Sequence, residues 1–218
     1  MEEDANLELV AQTQRLRLRR LRKADTAFLL ELLNQPSWLE FIGDRNVHSA
    51  AQADDYLAQR IDAQFDRYGF GMWGVELRAG QPPLAHLPVA GQRAIGHPGM
   101  GQLIGLVGLV KRDYLPEPDL GFALLDAYAG HGLAHEAACA VLPLARARGL
   151  KRLLAITDPD NHRSIALLHR LGFQLEGPHT PPGGTKLVQR YSRDLGMHEQ
   201  RLGREARARS SGLFRSVL

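Results

Sequence analysis

Apolar and polar residues alternate from Thr13 to Leu21, where Leu16, Leu18 and Leu21 fall against Arg15, Arg17, Arg19 and Arg20. Period-2 alternation predicts a half-buried strand with a solvated arginine face. Residues 1–12 before it read as a leader. A helical pattern follows, capped by Asp25 and running to Asn34, with Ala27, Phe28, Leu30, Leu32 and Leu33 on its apolar side and Pro36 as its stop. The stretch 37–49 is irregular, and its large residues Trp38, Phe41 and Ile42 need a neighbouring element to pack on. Ser49 precedes a second helix to about Arg67, with Ala53, Tyr56, Leu57, Ile61 and Phe65 on one face. Gly69–Gly71 breaks it, and Met72–Leu77 reads as the next strand.

Residues 79–101 carry Gly80, Pro82, Pro83, Pro88, Gly91, Gly96, Pro98 and Gly99 and cannot sustain a regular element. A loop of about twenty residues far exceeds the usual connection of about 4–6 and reads as a mobile insertion, with a lid or an oligomer arm as the alternatives. Gln102–Lys111 is a strand, and Pro116–Pro118 turns it into Leu120–Leu125, whose near-continuous apolar run predicts a strand buried on both faces. The helix opened by Gly130-His131-Gly132 runs to Gly149, with Leu133, Ala137, Val141 and Leu144 inward, Pro143 as a kink and Cys139 off the stripe. Lys151–Thr157 is a strand parallel to Leu120–Leu125 through this helical crossover. The turn Asp158-Pro159-Asp160-Asn161 leads into a helix, Ser164–Arg170, ended by Gly172. Phe173–Glu176 and Lys186–Arg193 are two closing strands. From Gly196 the chain is polar, with Arg201, Arg204, Arg207 and Arg209 in a basic tail.

Composition narrows the class without naming a function. With 218 residues, 44% hydrophobic and 23% charged, the chain can bury the core of one large domain. A formal net charge of +3 calls for neither nucleic acid nor a membrane, and the apolar run Leu103–Val110 is too short to span a bilayer. Nucleic-acid binding by the arginine tail is the minor alternative. The single cysteine, Cys139, cannot form an internal disulfide, and no Cys/His spacing suggests zinc, so no metal is expected. The acidic start has no secretory pattern, which leads to the expectation of a cytoplasmic protein.

The chemistry concentrates at the strand-to-helix turn. Gly130 and Gly132 let backbone approach a ligand closely, and the first amides of a helix have no partner within it. Those donors and the positive end of the helix dipole suit a diphosphate. A P-loop is excluded, because Leu133-Ala134 stands where Lys-Ser/Thr would be required. The dinucleotide fingerprint fails too, since His135 occupies the position of its third small residue.

Three motifs together resemble the GNAT acetyltransferase superfamily, in its RimJ/RimL-type branch, over residues 13–195. They are Thr13-Gln14-Arg15-Leu16-Arg17-Leu18-Arg19, then Tyr128-Ala129-Gly130-His131-Gly132-Leu133-Ala134-His135-Glu136-Ala137, and lastly Asn161-His162-Arg163-Ser164 with Leu168-His169-Arg170-Leu171-Gly172-Phe173. The resemblance implies a mixed α/β fold. Its central, mostly antiparallel sheet of about seven strands would be splayed between the fourth and fifth and flanked by helices. Acetyl-CoA would lie in the split. The amides of Gly130, His131, Gly132, Leu133 and Ala134 would hold its diphosphate, and the backbone of Phe122, Ala123 and Leu124 would pair with the pantetheine arm.

Asn161 would contact that arm, and Ser164 would lie near the thioester sulfur. Asp119 falls where many members carry the general base. The implied reaction is direct acetylation of a primary amine, with a protein or peptide N-terminus as first acceptor. A small-molecule amine, or an idle acyl-CoA sensor, is the alternative. Trp38, Phe41, Asp44 and Arg45 are the expected acceptor-lining residues, and a homodimer is allowed for. The sequence departs from the family at three places. Ala127 replaces a usual Gln or Arg, His131 a usual Lys or Arg, and Leu168 a tyrosine acid.

Overall fold

The computed structural model describes residues 9–78, 101–183 and 186–196. The predicted 79–101 loop and the basic tail therefore lie outside the described residues, apart from Gly101 and Gly196. The chain begins with β1 (Leu9–Gln12), β2 (Leu16–Arg19), α1 (Thr26–Asn34) and α2 (Pro36–Phe41). Next, α3 (Ala50–Tyr56) runs through a π-helical stretch, Leu57–Asp62, into α4 (Ala63–Tyr68). Then come β3 (Met72–Leu77), β4 (Leu103–Val110), β5 (Asp119–Leu124) and α5 (Leu133–Ala147), followed by β6 (Arg152–Thr157), α6 (His162–Arg170), β7 (Gln174–His179) and β8 (Val188–Asp194). One sheet of eight strands has the order β1-β2-β3-β4-β5-β6-β8-β7. Every pairing is antiparallel except β5 with β6.

The core follows the periodicities. Leu16 and Leu18 of β2, Trp73 and Val75 of β3, and Leu106 and Leu109 of β4 are buried with Leu133, Ala137, Val141 and Ala145 of α5. Several local readings are corrected. The end of the leader is strand β1, paired to β2. Pro36 starts a helix instead of only stopping one, because its fixed φ and missing N–H suit the first helical position. The arginine face of β2 is not wholly solvated. Arg19, 3% exposed, bonds Glu76 through Nε at 2.7 Å and Asp25 through both terminal nitrogens. Asp25 is spent there and on the Arg22 amide, so its carboxylate does not cap α1.

β5 is the strand that positions the site, and it is not buried on both faces throughout. Asp119 and Leu120 are buried, whereas Gly121 to Leu124 are only partly covered. The reason is that β6 leaves it almost at once. The two strands share a single residue pair, Asp119 opposite Leu154.

Candidate active site

The opening between β5 and β6 is lined by peptide groups whose direction the register fixes. The Leu125 N–H donates to the Ile104 carbonyl at 2.8 Å. Alternation along an antiparallel pair then turns the peptide groups of Asp119, Gly121, Ala123 and Leu125 toward β4, and those of Leu120, Phe122 and Leu124 toward β6. Leu154 closes the apex by donating to the Pro118 carbonyl at 3.0 Å. Beyond it the Phe122 N–H and C=O and the Leu124 N–H face the opening without a strand partner among the described residues. Ile156 on β6 faces them by the same alternation, since Ala155 and Thr157 belong to the β8 side. Ala123 is thus corrected: its backbone is paired to β4 at Leu106 and is not offered to the split.

The end of that edge is clamped by a residue the sequence reading passed over. Gln35, buried at the α1–α2 junction, donates from Nε2 to the Leu124 carbonyl at 2.7 Å and accepts the Asp126 N–H on Oε1 at 2.8 Å. Its two bonds span the bend from β5 into the turn Asp126–Tyr128. The chain then reaches Gly130 and Gly132 with φ of 82° and 75°, both in the left-handed region that favours glycine. Gly132 is the N-cap of α5 and, having no side chain, offers it no capping bond. Among the described residues, no carbonyl or side chain takes the amides of Gly130, His131, Gly132, Leu133 or Ala134.

The one carboxylate in the first turn of α5 is neutralised. Glu136 Oε1 accepts the Thr13 hydroxyl at 2.5 Å and the Arg15 amide at 2.8 Å, and Oε2 accepts Arg15 Nε at 2.6 Å. Burial alone would push this carboxyl up, but the bonds from Thr13 and Arg15 outweigh it and hold the carboxyl below its ordinary value. Arg15 Nη1 also donates to the His131 carbonyl at 3.1 Å. Nothing in a single sequence pairs Arg15 with Glu136, although each lies within a motif.

At the other helix start, Asn161 caps α6, its Oδ1 accepting the Ser164 N–H at 3.0 Å. Ser164 therefore sits one turn inside α6, partly exposed, and its hydroxyl is not the cap. Leu168, where a tyrosine acid is usual in the family, is a core residue at 1% exposure.

Asp119 stands at the apex, 2% exposed, with Oδ1 accepting Arg112 Nε at 2.8 Å. Burial pushes its carboxyl up, against the pull of the Arg112 guanidinium. Burial pushes the Tyr56 hydroxyl up, while the charges of Arg45, Arg60 and Arg112 pull it back. Arg45, one of the expected acceptor residues, is exposed. Asp44 is also exposed, beside His48, 3.4 Å away. Phe41 is partly buried at the end of α2. Trp38 is corrected to a core residue, 6% exposed within the main cluster. Cys139 is exposed, and burial effects push its thiol up, so it is a poor nucleophile.

A family model described as an acetyltransferase (GNAT) domain matches residues 15–174. The chain belongs to the GNAT acetyltransferase family. Solved structures agree on the fold. An acetyltransferase from Agrobacterium tumefaciens str. C58 aligns with a TM-score of 0.64 at 23% identity, covering 84% of this chain and 92% of the other. The Salmonella typhimurium enzyme that modifies the N-terminal serine of ribosomal protein L7/L12 gives 0.62 at 17%, covering 85% and 98%. The microcin C7 self-immunity acetyltransferase MccE, in complex with acetyl-CoA and AMP, gives 0.63 at 16%, covering 84% and 93%.

The protein is an acetyl-CoA-dependent N-acetyltransferase. Its residues suit the coenzyme. Unpaired amides stand at a glycine turn, the nearby carboxylate is neutralised, and a strand edge with free peptide groups adjoins them. Among the described residues, no helix is long and apolar enough to cross a membrane.

Proposed function

We propose that this GNAT enzyme acetylates the α-amine of a protein or peptide N-terminus. Acetyl-CoA supplies the activated acetyl thioester. The amides of Gly130 to Ala134 bind its diphosphate through unpaired donors and the start of α5. The free peptide groups of Phe122 and Leu124 hold the extended arm as a further strand would, and Asn161 faces that arm from the start of α6. Bringing amine and thioester into one split supplies much of the rate, and the chain needs no covalent intermediate of its own.

An ammonium group cannot attack until it loses a proton. Asp119 receives that proton through water, its burial lifting its basicity while Arg112 keeps the carboxylate oriented. The Ser164 hydroxyl donates toward the departing sulfur, and a backbone N–H of β5 faces the carbonyl oxygen of the acetyl group. Arg45 and Phe41 border the acceptor mouth.

The observation that carries the coenzyme side is the uncapped start of α5 beside an unpaired strand edge. The likeness to ribosomal-protein acetyltransferases supports a polypeptide acceptor. The likeness to MccE supports a small-molecule amine as the second reading. Thiol release from acetyl-CoA, with mass detection of products, tests both on peptides with free and blocked N-termini and on small amines. Turnover confined to free N-termini supports the first reading. Turnover confined to small amines replaces it with the second, and coenzyme binding with no turnover on any acceptor would leave a sensor.

A further inference from the structure

We propose that Arg15 is a positioning residue that sets the direction of the Gly132 amide, and through it the strength of the diphosphate grip. This rests on the glycine-loop reading above. Arg15 lies in the tight turn between β1 and β2, where the Thr13 amide bonds the Leu16 carbonyl at 2.9 Å. Glu136 holds its amide and its Nε, so the guanidinium is fixed at both ends of the residue. What remains of the fork reaches the loop, with Nη1 donating to the His131 carbonyl at 3.1 Å. A Cβ built on Gly132 would have Nη2 as a neighbour at 3.7 Å.

The consequence follows from peptide geometry. In a planar trans peptide the C=O and the next N–H point in opposite directions. Pinning the His131 carbonyl toward Arg15 therefore turns the Gly132 N–H to the other, exposed side of the loop. Free amides of Leu133 and Ala134 open the helix just beyond it. Little else steadies that peptide. The Ala129 amide bonds Asp126 before it, the Glu136 amide bonds Gly132 after it, and among the described residues no further backbone–backbone bond joins Gly130 or His131. Glycine on each side of His131 makes rotation of that plane cheap, since glycine adopts either sign of φ. Rotated, the plane would present a carbonyl, with its partial negative charge, where the anion sits. Thr13 completes the device by donating to Glu136, which in turn holds Arg15, and both come from a strand turn more than a hundred residues earlier in the chain than Glu136.

The test compares equilibrium binding of CoA with that of pantetheine, which lacks the diphosphate, by titration calorimetry. A hydrogen bond to a charged group is worth roughly a ten- to hundredfold change in affinity. Arg15→Met, which keeps the stem, is expected to weaken CoA by about that factor and to leave pantetheine within about twofold. Loss of both ligands by the same factor, or of neither, overturns the proposal. Should that variant fail to fold, Arg15→Lys is read by the same pair of ligands. Its ammonium lacks the planar fork whose Nε and Nη1 reach Glu136 and the His131 carbonyl separately, so CoA again weakens selectively, and equal or absent effects overturn the idea. Failure of the unaltered protein to bind CoA would instead sink the loop reading itself.

Discussion

Gly132 lets backbone strain and ligand repulsion be separated by two substitutions. Its φ of 75° costs an L-residue about 1–2 kcal/mol, whatever the side chain. The site is roomy, however, because among the described residues a Cβ there meets only Arg15 Nη2, at an ordinary 3.7 Å. Gly132→Ala should therefore fold and lose about that energy, which for a domain of this size lowers Tm by about 2–8 °C. Its CoA affinity should drop only a few-fold, since the strain is present with and without ligand. Gly132→Asp carries the same strain and adds a carboxylate that starts beside Arg15 Nη2. There it competes with the His131 carbonyl for the guanidinium and adds negative charge to the loop that would hold the diphosphate. Two unit charges about 4 Å apart repel by about 1 kcal/mol in bulk water and about 4 kcal/mol at a protein surface. CoA binding should accordingly weaken by about five- to thousandfold. Thermal unfolding without ligand and calorimetric titration with CoA read the two effects separately. If the Asp variant bound CoA as tightly as the Ala variant, the diphosphate could not lie against this turn.

Asp119→Asn keeps an acceptor for Arg112 but not the base, so kcat should fall while CoA affinity is retained. Since burial raises the Asp119 carboxyl, the acidic limb of kcat/KM should lie above the ordinary carboxylate range and vanish in the variant. An unchanged pH–rate profile would remove Asp119 from the mechanism. Glu136 works in the opposite sense. Its folded-state value is lowered from 4.5, so its contribution to stability is present above that pH and is lost as pH falls through the lowered value. Denaturant unfolding of Glu136→Gln against the parent should show a gap that narrows on acidification below pH 4.5, and a gap constant with pH would contradict the assignment.

What the sequence made legible was local. The inward stripe of α5 and the two glycines before it depend on neighbours within a few residues, so periodicity and turn chemistry were enough to place them. The split itself was available only through the family resemblance, because an apolar run such as Leu120–Leu125 looks the same whether or not β6 stays beside it. Long-range polar pairing left no trace in the pattern. Arg19 reads as an exposed strand residue until Glu76, 57 positions later, is folded against it. Gln35 looks like filler before a proline, yet its amide group joins both sides of the bend after β5. Trp38 was open to two readings, and burial within the core decided for packing.

The two βα units give the proposed reading its reason for putting the anion at one helix start and not the other. Both β5 and β6 deliver the chain at their carboxyl ends into a helix, the region where open sheets with parallel strands bind ligands. The helix starts differ in what they leave unsatisfied. At α6 the Asn161 side chain already accepts the Ser164 amide, so part of its donor set is consumed from within. At α5 the cap is a glycine that can supply nothing, and the carboxylate that could have bonded back to the first turn is held by Thr13 and Arg15. A helix end left without partners is a standing cost that a bound anion removes. On the proposed reading the phosphates therefore go to α5, while Asn161 and Ser164, uncharged and partly engaged in the α6 cap, are left to meet the neutral arm and the thioester.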